Sequence, residues 1–263
     1  MSPPTLKKAA KTIIPKQYHQ FVRNLKYRLW DTSLRSYSQQ GEDIILRWLF
    51  DGVEKGFYVD VGAHHPVLYS NTYFFYRLGW QGINIDATPG SMDLFRSIRP
   101  RDTNLEFAIS NAKKELTLYI FEQGALNTFS EELATARAKE RPNSLVCCKR
   151  VVTRSLAEVL REHCPGGCPI EFLNVDVEGF DLDVLESNDW GRFAPRAVLC
   201  EDLLVQDMDL VAHSAVGSFL RARGYTLLSK CINTLIFVQR GKGIDGTVDL
   251  SGHQHTQRGK EPR

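Results

Sequence analysis

Acidic and histidine side chains stand where several short apolar segments of the chain end. Residues 59–66 read VDVGAHHP, residues 84–86 read NID, and residues 172–179 read FLNVDVEG. Carboxylates and imidazoles can bind a cationic ligand, accept hydrogen bonds from hydroxyls, and take up a proton in a reaction. We therefore expect a ligand site with acid–base chemistry where these segments meet.

The first two segments favour a cofactor that carries a ribose but no phosphate. Gly62 would let the backbone approach a ligand closely, Asp60 suits an ammonium or an ordered water, and Asp86 can accept both ribose hydroxyls. The turn lacks the G-x-G-x-x-G spacing of a dinucleotide site, so S-adenosylmethionine (SAM) fits better than a pyrophosphate cofactor. The alternative is that Gly62 only forms a turn and Asp86 only caps a helix.

The third segment places two carboxylates, Asp176 and Glu178, two residues apart where a strand ends. Like charges repel at this spacing, and proteins accept such local conflict mainly at functional sites. Either carboxylate could instead cap the following helix.

Alternating elements must bring these residues together. Strands are predicted for the following ranges: 56–61, 82–86, 104–109, 171–177, 197–201, 225–229 and 234–239, with an extra strand at 116–121. Helices are predicted at 16–30, 44–50, 72–78, 91–98, 131–139, 155–162, 181–187 and 211–223. This alternation predicts an α/β fold with a seven-stranded, mostly parallel sheet and helices on both faces. The connection at 230–233 is too short for a crossover helix, so the last strand should run antiparallel. These features describe a Rossmann-like class I methyltransferase sheet.

The chain resembles the FkbM family of SAM-dependent methyltransferases. The resemblance covers about residues 37–238 and rests on these pieces in order: 37–43 (YSQQGED), 56–66 (GFYVDVGAHHP), 70–72 (SNT), 79–86 (GWQGINID) and 176–179 (DVEG). It implies O-methylation, commonly of sugar hydroxyls in polysaccharides, glycolipids or secondary metabolites. It also implies that Asp60 and Gly62 line the SAM site and that Asp86 binds its ribose.

Further residues complete the site predicted for such a reaction. Ala63, Ala108, Gln39 and Glu42 are assigned to the cofactor site, the last two near its entrance. An alcohol is a weak nucleophile at neutral pH, so it needs a general base or a metal. His65 or Asp176 is predicted as the base, with His64 and Glu178 orienting the groups; alternatively, both histidines pack beneath a following helix. A divalent ion is compatible with these side chains, but no metal ligand is assigned.

The charge distribution separates the N-terminus from the rest of the chain. Residues 1–30 hold seven Lys or Arg and no acid, which leaves 26 basic and 31 acidic residues, a net charge of −5, for residues 31–263. This balance argues against a nucleic-acid partner. We expect a basic helical arm at 1–36, a methyltransferase domain at 37–240 and a disordered tail at 241–263. The arm either packs on the domain or contacts an anionic membrane surface.

Location and activity class are further expectations. Six cysteines without a zinc-like spacing, and no apolar leader or spanning segment, favour the cytoplasm, and the basic arm leaves peripheral membrane association open. The expected partner is a glycan or small-molecule acceptor; the sequence does not indicate an oligomeric state. Two other activities remain open: a nucleotide-dependent oxidoreductase and a non-catalytic SAM-binding protein.

Overall fold

A seven-stranded sheet forms the centre of the protein in a computed structural model, which describes residues 34–111, 115–202, 207–211 and 213–240. The strands of this sheet are β1 (Phe57–Val61), β2 (Gln81–Asp86), β3 (Thr103–Glu106), β7 (Phe172–Val175), β8 (Ala197–Glu201), β9 (Tyr225–Cys231) and β10 (Thr234–Gln239). Their order is β3-β2-β1-β7-β8-β10-β9. The first five are parallel to one another, and β10 is antiparallel to both β8 and β9. The predicted sheet and its antiparallel last strand are confirmed.

Helices cover both faces of this sheet because alternate strand residues are apolar on both sides. The described helices are α1 (Glu42–Leu49), α2 (Tyr73–Arg77), α3 (Ser91–Ile98), α4 (Glu131–Glu140), α5 (Leu156–His163), α6 (Asp181–Glu186), α7 (Met208–Val211) and α8 (Ala215–Ala222). Val59 and Val61 of β1 pack in one core with residues of α5, α6 and α8. Tyr58 packs in the opposite core with Leu46 of α1 and Phe75 of α2.

A buried polar group braces the sheet beneath its functional edge. Arg99, just after α3, is fully buried and pairs through Nε with Asp102 Oδ2 at 2.8 Å. Its guanidinium also donates to the hydroxyls of Tyr58 and Thr72, at 2.8 and 3.0 Å. Thr72 in turn donates to Asp60 at the end of β1, so a chain of hydrogen bonds links Arg99 to the site.

A smaller sheet departs from the predicted layout. The single strand predicted at 104–109 is wrong: β3 ends at Glu106, and Ala108–Ile109 form β4, which pairs with β6 (Leu145–Arg154). The strand β5 (Glu115–Phe121) pairs antiparallel with β6. Most of β6 is exposed and shows no apolar alternation, so its sequence did not indicate a strand; pairing with β5 imposes it.

The predicted helix at 211–223 is also divided, into α7 and α8. Ser214 has extended backbone angles, and its Oγ accepts the N–H of Gly217, so it caps a helix that begins at Ala215. Among the described residues, no helix combines the length and the apolar character needed to cross a bilayer. The predicted arm helix at 16–30 and the tail at 241–263 lie outside the described residues, so both remain predictions.

Candidate active site

The carboxyl ends of β1, β2, β7 and β8 surround a cavity of about 290 Å³. Because parallel strands end at the same edge of a sheet, this edge gathers side chains that are distant in sequence. Most of the predicted site residues line the cavity: Gln39, Asp60, Gly62, Ala63, His64, Asp86, Ala108, Asp176 and Glu178. His65 and Glu42 are not among its lining residues.

Asp60 is held in a hydrogen-bonded framework at the end of β1. Its Oδ1 accepts Asn174 Nδ2 at 2.9 Å, and its Oδ2 accepts the hydroxyl of Thr72 at 2.8 Å. Burial raises the pKa of Asp60, while the hydrogen bond from Asn174 and the charge of Arg99 oppose that rise. Asp60 therefore organises neighbouring side chains in addition to lining the cavity.

Gly62 allows two backbone segments to meet at the floor of the cavity. Its φ of 84° lies in the left-handed region, and an ideal Cβ there would lie 1.8 Å from the carbonyl oxygen of Asp176. A glycine is required here for both reasons. The close approach is therefore to the backbone segment that carries Asp176 and Glu178, whereas the sequence suggested only an approach to a ligand.

Asp86 lies at the end of β2 with both carboxylate oxygens fixed by backbone N–H groups. Oδ2 accepts the N–H of His64 at 2.9 Å, and Oδ1 accepts the N–H of Thr88 at 2.7 Å. Each oxygen keeps a further lone pair, so the carboxylate can still accept hydrogen bonds from two neighbouring hydroxyls. These two hydrogen bonds therefore fix the orientation of the Asp86 carboxylate before a ligand binds.

Three carboxylates form the most acidic part of the cavity wall. Asp176 and Glu178 follow β7, Glu201 ends β8, and each offers an oxygen within 4.8 Å of the others. Burial, and then the charges of Glu201 and Glu178, raise the pKa of Asp176 well above its usual range. Burial, and then the charges of Glu178 and Asp181, raise the pKa of Glu201 to about 8. We call Asp176, Glu178 and Glu201 the carboxylate trio.

Arg137 of α4 reaches the trio from the opposite wall. Its guanidinium lies 2.5 Å from Glu178 Oε2 and donates to the carbonyl of Leu126 at 2.8 Å. The sequence pattern of α4 indicated only an exposed polar helix, and Arg137 has no motif that would have identified it. Its role becomes visible only through this contact across 41 residues of sequence.

The segment 124–129 covers the cavity between Asp86 and the trio. Asn127 Nδ2 donates to the hydroxyl of Thr88 at 2.9 Å, next to Asp86. Thr128 Oγ1 donates to the backbone carbonyl of Glu178 at 2.9 Å. This cover segment therefore contacts both ends of the cavity.

His65 and Glu42 occupy structural positions outside the cavity lining. His65 Nδ1 accepts the N–H groups of Val67 and Leu68, at 3.0 and 2.9 Å, and burial and then His64 lower its pKa. No helix begins near Pro66; the next one is α2. Glu42 is buried, and its carboxylate accepts the Gln40 N–H and the Thr234 hydroxyl. The assigned roles of both residues remain predictions that this geometry does not favour.

A second groove, on the far side of β6 and α5, lacks comparable chemistry. It is larger, about 640 Å³, but wide open, and Arg154 and Glu162 on its wall pair with each other at 2.6 Å. No strand end contributes a carboxylate to it. We therefore assign the functional site to the smaller cavity.

The strand order and the position of the cavity define the class of the protein. A seven-stranded sheet with one antiparallel strand, and a site at the carboxyl ends of its parallel strands, is a class I methyltransferase-like fold. Residues 60–227, which are more than half of the chain, match the methyltransferase FkbM domain. The protein therefore belongs to the FkbM methyltransferase family. No curated protein matches the chain.

Proposed function

We propose that this protein is a SAM-dependent O-methyltransferase acting on a sugar hydroxyl of a glycan, glycolipid or related metabolite. The observation that carries the proposal is that one cavity joins Asp86, a preset acceptor for two hydroxyls, to the carboxylate trio. The first feature suits the ribose of the cofactor. The second suits an acceptor hydroxyl and its proton.

The residues present fit the parts of SAM. Asp86 would hold the ribose, and apolar side chains beside it, including Ile85, Phe107 and Ala108, would enclose the adenine. A pyrophosphate cofactor fits poorly, because Arg137 is the only Lys or Arg among the described residues that line the cavity, and it is paired with Glu178. The five carboxylates of the lining favour cationic groups: Asp60, Asp86, Asp176, Glu178 and Glu201. This charge argues against the nucleotide-dependent oxidoreductase.

The chain's own residues would orient the acceptor and take its proton. SAM, when bound, supplies an activated methyl group, so positioning of the acceptor carries much of the rate. Carboxylate oxygens of the trio can accept a hydrogen bond from the acceptor hydroxyl and then its proton. The cover segment 124–129 would exclude water from this contact. A sugar offers several hydroxyl donors to such an acceptor-rich wall.

Ligand binding to the full chain tests the cofactor assignment. SAM should raise the midpoint of thermal unfolding, by an amount equivalent to about 2.7 kcal/mol at 100 times its Kd, and NAD should not. Asp86→Asn should weaken SAM binding about tenfold or more, because the amide presents a donor where the carboxylate accepts. A shift with NAD but not with SAM would overturn the proposal.

Transfer itself is tested on the glycans of cells with and without the gene. Mass spectrometry should show loss of a 14-dalton increment from a glycan or glycolipid when the gene is absent. Asp176→Asn should give the same loss while the purified variant still binds SAM. Unchanged methylation with Asp176→Asn would refute the role of the trio. Unchanged methylation without the gene, together with SAM binding by the purified protein, would support a non-catalytic SAM-binding protein.

A further inference from the structure

The carboxylate trio carries more negative charge than its surroundings neutralise. Its three side chains converge within 4.8 Å, and Asp60 and Asp86 line the same cavity. The guanidinium of Arg137 forms an ion pair with Glu178, and its charge partly offsets the rise in the pKa of Glu201. Like charges at such distances repel strongly unless a proton or a cation lies between them.

Independently of the trio, a chain of amides leaves an acceptor oxygen without a partner in the cavity wall. The carboxylate of Asp60 accepts hydrogen bonds, so Asn174 must turn its Nδ2 toward it. Asn174 Oδ1 therefore faces Asn71, which donates its own Nδ2 at 2.9 Å. The orientation of Asn71 is then set, and its Oδ1 has no hydrogen-bond partner in the described structure.

The position of Asn71 makes this oxygen informative. The residue is only 9% exposed, and it lines the same cavity as the trio. Asn174, its partner, is two residues before Asp176, and both residues line the cavity. A buried acceptor without a donor is costly, so it points to a ligand that brings donors or positive charge.

Glu201 shows the same deficit inside the trio. The side chain of Asn233 hydrogen-bonds the Glu201 carboxylate, but Oε2 is shielded from solvent and has no hydrogen-bond donor among the described residues. Two acceptor oxygens from different elements, Asn71 Oδ1 and Glu201 Oε2, are thus unsatisfied in the walls of one cavity. The missing partner must therefore bring hydrogen-bond donors or positive charge to oxygen atoms.

We propose that Asp176, Glu178 and Glu201 bind a divalent cation of the Mg²⁺ or Mn²⁺ type at this edge of the sheet. Such ions take oxygen ligands: opposite oxygens lie about 4.2 Å apart around Mg²⁺ and about 4.8 Å apart around Ca²⁺. The trio's oxygens all lie within 4.8 Å of one another, which is compatible with one ion held between them. Mg²⁺ also keeps several waters, and one of these would donate to Asn71 Oδ1.

The cation would extend the proposed function, because the acceptor could bind to the ion as well as to the carboxylates. An acceptor hydroxyl that replaces one of the waters would have its pKa lowered by the ion. Each carboxylate offers one ligand atom and keeps its other oxygen, so an oxygen remains to receive the proton. This extension rests on the proposed methyl transfer, but the binding of the cation does not.

Calorimetric titration of the full chain with Mn²⁺ alone, after treatment with a chelator, tests the site. Mn²⁺ should bind with one ion per chain and should be displaced by excess Mg²⁺. Glu201→Gln and Asp176→Asn, which preserve side-chain size, should weaken Mn²⁺ binding by more than about tenfold. Circular dichroism would confirm that each variant is folded.

Asp86→Asn is the matched control, because it removes a carboxylate from the same cavity outside the trio. Asp86→Asn should weaken SAM binding and leave the Mn²⁺ Kd within about twofold. Glu201→Gln should weaken Mn²⁺ binding and leave SAM binding unchanged when SAM is titrated without metal. Absence of Mn²⁺ binding at millimolar concentration, or equal Mn²⁺ affinity in wild type and Glu201→Gln, would overturn the cation site. Either result would leave the SAM assignment intact.

Discussion

Replacing Gly62 with alanine should damage both the fold and the cofactor site. Two costs add at this position. A non-glycine residue at φ 84° pays about 1–2 kcal/mol. The new Cβ would also lie 1.8 Å from the Asp176 carbonyl oxygen, whereas real Cβ contacts essentially never fall below 3.0 Å. The chains after β1 and β7 must therefore separate by at least about 1 Å, and overpacking of this kind costs about 1–3 kcal/mol.

Gly52→Ala is the control that isolates the steric cost. Gly52 has nearly the same φ, 80°, but nothing lies within 4 Å of its Cβ position. Gly52→Ala should lose only the free energy of unfolding that the positive φ costs. Gly62→Ala should therefore be less stable than Gly52→Ala by about 1–3 kcal/mol. For a domain of this size that difference lowers the melting temperature by roughly 2–4 °C per kcal/mol.

Urea unfolding and SAM titration of both variants would measure this. Gly62→Ala should have the lower free energy of unfolding and a SAM affinity reduced by more than tenfold, because Gly62 lines the cavity. Gly52→Ala should bind SAM as the wild type does. Equal stability of the two variants would show that the Asp176 backbone moves away from the new Cβ without loss of stability. The steric cost predicted at Gly62 would then be wrong.

Three further perturbations have defined outcomes. Arg137→Gln should accelerate hydrogen exchange in the cover segment, since it removes the bonds to Leu126 and Glu178, whereas Lys139→Gln, at an exposed position of the same helix, should not. Arg99→Leu should lower the free energy of unfolding by about 3–5 kcal/mol in thermal denaturation, because it leaves a buried carboxylate unpaired; a loss below 1 kcal/mol would contradict this. In chelator-treated protein, the raised pKa of Glu201, about 8, means that the folded state binds the proton more tightly than the unfolded state. Stability should therefore fall as the pH rises from about 4.5 to about 8, by up to about 1.4 kcal/mol per unit, and Glu201→Gln should flatten this slope in denaturant titrations.

The sheet could be predicted because its signals are local. Each central strand is a short apolar run between turn residues, and the connection before β10 is too short for a crossover, which determines the direction of that strand. The carboxylates at 60, 86, 176 and 178 could be placed at one edge because parallel strands end together. Their convergence on one cavity follows from topology more than from any single motif.

The cover of the site could not be predicted, because it depends on contacts between distant residues. The polar sequence of α4 fits an exposed helix equally well, and only the folded chain brings Arg137 to Glu178. The strand β6 exists through pairing with β5, and its sequence lacks alternation. His65 is a residue for which the sequence alone suggested too much. Its residue type suits catalysis, yet its Nδ1 accepts hydrogen bonds from two backbone N–H groups.

The antiparallel direction of β10 also decides where a label can be attached. Val238 and Gln239, at the end of β10, pair with Ala197 and Tyr225, so the described chain leaves the sheet at the edge where the parallel strands begin. The cavity is at the other edge, and the turn before β10 contributes Asn233 to it. A fluorophore or affinity handle joined directly after Arg240 would therefore be tethered on the side away from the cavity mouth, and immobilisation through that point suits binding measurements on a surface.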